Sequence, residues 1–262
     1  MLRKLMKYEF MATGRIFLPL FAALIIISIV NRLLSILGLN TTSVSVIGTV
    51  VSVILMAGIA VLTFILTLQR FRNNLLSSEG YIVMTLPSKT DSLILSKLFV
   101  SAIWIVASVV VVTVSIMILA MTSFDFSDLV ALIRNLIELL PRFSIRYVIY
   151  TAEALIGIVV SIFSGVLLLY ACLSLSMLVD KRRGLFAFGA YIVITTALQI
   201  IGAIIAGIAA ALNITDLFDF SSWSTFGQVQ LVILLILLAD VILCAAFYFV
   251  TRYMLKRRLN LQ

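Results

Sequence analysis

Six times along the 262-residue chain an apolar run of about 20 residues or more passes with little or no charge. That is the length an α-helix needs to cross a hydrocarbon layer of ~30 Å. The runs are Ile16–Leu37, Val44–Leu68, Leu98–Met121, Ala154–Val179, Leu185–Leu212 and Val229–Tyr253. Arg32 interrupts the first near its end, and the last carries Asp240 near its middle and Arg252 at its end. The pattern predicts an all-α, polytopic membrane protein with six transmembrane helices. They use most of the chain, which leaves no room for a soluble catalytic domain. Met1–Arg15 lacks the small-residue cleavage site of a signal peptide and is expected to be retained.

The segments between the runs carry their own patterns. At 100° per residue, Leu2, Leu5, Met6 and Phe10 form one face of a helix, with Arg3, Lys4 and Lys7 opposite. Glu9 falls near the centre of the apolar face. A carboxylate there needs a partner, because an unpaired buried charge is costly, and the next loop offers Arg70 or Arg72. The alternative is a carboxylate that reaches solvent. Within the stretch 69–97, a helical extension of span two is expected to end near Ser77. A short apolar helix over about Glu79–Leu86 then stops at Pro87, and Ser88–Asp91 reads as a capping box for span three. Tyr81, Ile82 and Met84 would then stand exposed, as a docking surface or as a helix lying on the membrane. Asp128–Leu140 reads as an amphipathic helix ended by Pro141, either interfacial or a gate.

Charge sets an orientation. Fifteen of the nineteen Lys and Arg residues lie in the N-terminal segment, the second and fourth loops and the C-terminal tail. By the positive-inside rule these face the cytoplasm, with both termini. Composition agrees: 63% of residues are hydrophobic and 11% charged, against roughly 25% charged in soluble domains, and the mean hydropathy is +1.26. The net charge of +8 then reports loops beside anionic lipid rather than a nucleic-acid partner. With no histidine, and with Cys172 and Cys244 inside apolar runs, zinc sites and Ser/His/Asp or Cys/His nucleophiles lack their parts. No catalytic, cofactor-binding or metal-ligating residues are expected, and both cysteines read as buried free thiols.

Two stretches carry a resemblance. Lys-Tyr-Glu-Phe-Met-Ala-Thr-Gly-Arg-Ile-Phe-Leu-Pro-Leu (7–20) resembles the start of a bacterial ABC transporter permease of the type-two (ABC-2) exporter class. Glu-Gly-Tyr-Ile-Val-Met-Thr-Leu-Pro (79–87) is similar to that family's segment between spans two and three. The resemblance implies a single permease domain over 1–262 in the plasma membrane. Residues 1–15 would be an N-terminal amphipathic connecting helix along the inner leaflet, and 69–97 a cytoplasmic coupling segment. Its coupling helix, with Glu79, Gly80, Tyr81, Ile82 and Met84, would dock on an ATPase subunit. Two permease copies, or two related permeases, would enclose the substrate path. The chain has no G-x-x-x-x-G-K-[ST] phosphate loop, so ATP and magnesium would sit on a separate partner chain and this chain would not be an enzyme.

Small residues repeat every four positions at Gly157, Ser161 and Gly165, and again at Gly202, Ala206 and Ala210. Such spacing lets helices approach closely, within the chain or across a dimer. Intramembrane acids are costly and often functional. Glu153, like Arg32, lies near a span end and is expected to reach the interface. Asp240 has no cation one turn away on its own helix, and it requires either a hydrogen bond from another span or a substrate or proton role. A secondary transporter or channel using Asp240 and Glu153 is therefore the competing function, although paired Gly/Pro-broken helices are not evident. A membrane-embedded lipid enzyme would need clustered histidines or paired acids.

Overall fold

A computed structural model of the protein describes residues 2–37, 42–75, 90–120, 145–179, 182–211 and 225–257, with 130, 131 and 134. The long elements are α1 (Leu2–Ile36), α2 (Thr42–Leu75), α3 (Thr90–Ala120), α4 (Ile145–Leu175), α5 (Arg183–Ala211) and α6 (Thr225–Arg257). A 3₁₀ turn, Ser176–Leu178, extends α4. All six helices are long and apolar enough to cross a membrane. Local propensity alone does not explain them: Ser108–Val114 in α3 reads Ser-Val-Val-Val-Val-Thr-Val, which suits a strand in water. In hydrocarbon each backbone N–H and C=O must be satisfied within its own segment, and the helix does so.

The helices form two packed groups. The first contains α1, α2 as far as Arg70, and α3. Phe17, Phe21 and Leu24 of α1, Ile59 of α2, and Val100 and Trp104 of α3 make its core. Trp104 stacks on both Phe10 and Phe17, with ring centroids 4.9 and 4.6 Å apart. The Thr63 and Ser108 hydroxyls join α2 to α3 at 2.9 Å. Gly48 permits a close approach of α1, since a Cβ there would lie 2.6 Å from Asn31 Oδ1.

The second group contains the last turn of α2 from Phe71, with α4, α5 and α6. Its main seam joins α4 to α6. Gly157 faces Leu237 there, and an added Cβ would meet Leu237 Cδ2 at 3.3 Å. Gly165 and Gly202 have no neighbour within 4 Å of where a Cβ would stand. Of the two small-residue repeats, then, the first is used at Gly157 within the chain. Gly202 and Ala206 of the second lie on an exposed face of α5, with Ile201, Ile204, Ile205 and Ile208 also exposed on that helix. Such a surface suits hydrocarbon or another apolar helix rather than water.

The N-terminal segment differs from the expected separate helix over 1–15. α1 runs from Leu2 to Ile36 without interruption and includes Pro19. At 1.5 Å per residue its 35 residues reach about 50 Å, some 20 Å more than a ~30 Å hydrocarbon core. Its early turns are held by packing, because Leu5, Met6, Glu9 and Thr13 are all at least half-buried on one side. The docking residues Glu79, Gly80, Tyr81, Ile82 and Met84 lie outside the described residues, as does most of 128–140; Val130, Ala131 and Arg134 are helical.

Candidate functional site

The charged centre of the first group follows from three helical spacings. On α1, Glu9, Thr13 and Phe17 recur every four residues, which places them on one face. Thr63, Thr67 and Arg70, four and three residues apart, share a face on α2, as do Lys97 and Trp104, seven apart, on α3. These faces converge. Glu9 Oε1 lies 3.4 Å from Arg70 Nη1 and 3.2 Å from Lys97 Nζ. Their side chains are 15%, 23% and 6% exposed, in the order Glu9, Arg70, Lys97.

Next to the charges lies a neutral, hydrogen-bonded layer. Trp104 Nε1 donates to Thr13 Oγ1 at 2.6 Å, and the Thr13 hydroxyl donates to the Glu9 carbonyl at 2.8 Å. A cavity of about 20 Å³ remains among Glu9, Thr13, Thr67, Arg70, Lys97 and Trp104, room for about one water. The carboxylate thus connects the N-terminal part of α1, the C-terminal part of α2 and the N-terminal part of α3. Among the described residues one anion faces two cationic side chains, of which Arg70 keeps the greater exposure to solvent. Removing the anion would leave Lys97 buried beside a like charge. The arrangement holds no nucleophile–base pair, and no group of three or more His, Cys, Asp or Glu suited to a metal occurs among the described residues.

Arg72, the other partner considered for Glu9, is placed differently. Two residues beyond Arg70, it points roughly 200° further around the helix; it is exposed and lines a cavity in the second group. Lys97, at the end of the stretch 69–97 and not singled out as a partner for Glu9, sits inside α3 and joins Arg70 at the carboxylate. Its seven-residue spacing from Trp104 was the available signal.

The intramembrane acids meet the α4–α6 seam. Ser164 Oγ donates to Asp240 Oδ1 at 2.7 Å, so Asp240 has an interhelical hydrogen bond. Gln230 Nε2 donates to Glu153 Oε1. Glu153 is therefore engaged with α6 rather than merely solvated at a span end. Glu153 Oε2 and Gln230 Oε1 are buried without a hydrogen-bond partner among the described residues. Nothing in the sequence pattern singled out Ser164 or Gln230, because a lone hydroxyl or amide on an apolar helix has no register until its neighbour is known. Cys172 and Cys244 are free.

No protein family, curated protein or solved structure matches this chain. Its class therefore rests on its own features: among the described residues it is helical, with six candidate membrane-spanning helices.

Proposed function

We propose that the chain is the membrane-spanning permease subunit of an ATP-driven exporter of the type-two class. It would lie in the plasma membrane with both termini in the cytoplasm, pair with a second permease copy or a paralogue, and be powered by a separate ATPase chain that holds ATP and magnesium. The observation that supports this reading is the Glu9–Arg70–Lys97 cluster. It joins α1 to the two helices that flank segment 76–89, the segment carrying Glu79, Gly80, Tyr81, Ile82 and Met84. A push delivered to that segment by a docked ATPase would be transmitted through charges that cannot separate cheaply.

The test is co-expression with an ABC ATPase subunit as the partner this reading requires. The purified chain alone should hydrolyse no ATP, whereas the complex should. Tyr81→Asp or Ile82→Asp should abolish co-purification while leaving membrane insertion intact, since a buried aromatic anchor at an interface can contribute about 2 kcal/mol or more. Unchanged complex yield and stimulated ATPase in both variants would refute the docking role. A second reading, a secondary transporter or channel, draws support from Asp240 and Glu153 on the α4–α6 seam. It requires ion-driven transport in vesicles without any ATPase, lost in Asp240→Asn.

A further inference from the structure

The second helical group contains a larger cavity, of about 390 Å³, in the size range of small-molecule sites. The exporter reading does not use it. Arg72 and Asn73 at the end of α2 form one wall, Leu173, Ser176 and Met177 at the end of α4 another, and Arg183 and Gly184 at the start of α5 the third. Arg72 and Arg183 are both exposed, and no carboxylate occurs among the described lining residues. Two guanidinium groups on one concave surface make a site for an oxyanion, because each can present a planar fork to phosphate.

The backbone holds both arginines in place. Phe71, fully buried, stacks on Tyr170 with centroids 4.0 Å apart and planes at 12°, which anchors the turn carrying Arg72. Arg182 takes a left-handed conformation, φ 58°, and its carbonyl accepts the Phe186 N–H at 3.2 Å. That turn starts α5 with Arg183 at the cavity. The apolar wall of Leu173 and Met177, and the exposed Leu185 and Phe188 next along α5, would be a poor setting for a free inorganic ion. They suit a phosphate with hydrocarbon attached. Two spans end at this cavity and a third begins there, so it lies where lipid headgroups meet the ends of spanning helices.

We propose that this cavity binds the phosphate of an anionic phospholipid headgroup, with Arg72 and Arg183 as paired ligands. The inference stands whether or not the chain is an exporter subunit. It is tested by native mass spectrometry of the full chain in mild detergent with phosphatidylglycerol, phosphatidylcholine or inorganic phosphate as probes. Phosphatidylglycerol should be retained about tenfold over phosphatidylcholine, because both offer a phosphate to the guanidinium forks but the choline cation of the latter neutralises that charge and is repelled by two arginines. Arg72→Gln/Arg183→Gln should reduce it to the phosphatidylcholine level. Lys4→Gln/Lys7→Gln, which removes the same charge from exposed positions on α1, should leave retention unchanged. If the glutamine variant loses helix content, Arg72→Lys/Arg183→Lys provides the second reading, with a partial loss expected because charge is kept and the fork is not. Equal retention of the two lipids, equal loss in the Lys4/Lys7 variant, or no loss in either arginine variant would overturn the proposal. Displacement of the lipid by millimolar inorganic phosphate would overturn the lipid as the source of the anion.

Discussion

Replacing Glu9 by alanine removes the carboxylate shared by Arg70 and Lys97. Lys97 is 6% exposed and 3.2 Å from Glu9 Oε1; at an effective dielectric near 20 the gross attraction at that distance is about 5 kcal/mol. Desolvation of the pair offsets part of this, but alanine restores no solvation to Lys97, and Arg70 remains beside it as a like charge. Breaking one side of a buried pair costs about 3–5 kcal/mol, and because Glu9 and Arg70 retain some exposure the lower end applies, about 3 kcal/mol. For a chain of this size that corresponds to roughly 6–12 °C in thermal midpoint. Lys4→Ala, at an exposed position on α1, should change the midpoint by no more than about 2–4 °C, since an isolated surface charge contributes at most ~1 kcal/mol. The assay is thermal unfolding in detergent, followed by fluorescence-detected gel filtration. Glu9→Ala/Lys97→Met should recover part of the loss, because the stranded charge is gone, and a double-mutant cycle would show the coupling. Equal losses for Glu9→Ala and Lys4→Ala, or strictly additive losses for Glu9 and Lys97, would refute the cluster as a structural tie.

Two further outcomes follow from the packing. Trp104→Ala removes a ring stacked on two phenylalanines and should cost about 3–5 kcal/mol, whereas Trp104→Phe keeps the stack, loses the bond to Thr13 and should cost about 1–2 kcal/mol; thermal midpoints in detergent distinguish them. Gly157→Val should destabilise the α4–α6 seam by about 1–3 kcal/mol through overpacking against Leu237, while Gly202→Val, with open space around it, should leave the chain's own midpoint within about 1 kcal/mol of wild type. If Gly202→Val instead yields less dimer than wild type on gel filtration, the α5 face is where a second copy of the chain sits.

The sequence by itself determined the class of fold, because a run of about 20 apolar residues admits one economical solution in hydrocarbon. The six candidate spans were legible in this way, and the need of Glu9 for a partner was legible from its place on an apolar helix face. Register between helices was not. Along α2, Arg70 and Arg72 are equivalent as text, and only the rotation of that helix against α1 and α3 places Arg70 beside Glu9 and turns Arg72 toward the cavity it shares with Arg183. A helix capped at Ser88–Asp91 already carries Lys97 but does not say which way it faces; only packing against α1 and α2 puts it beside Glu9, on the face that carries Trp104. Asp240 and Glu153 announced themselves as acids at membrane depth, yet Ser164 and Gln230 become their partners only because α4 and α6 pack along Gly157. Hydropathy constrains each segment against its solvent one at a time, whereas an ion pair or interhelical hydrogen bond needs two segments fixed in rotation and height, and that is a property of tertiary packing.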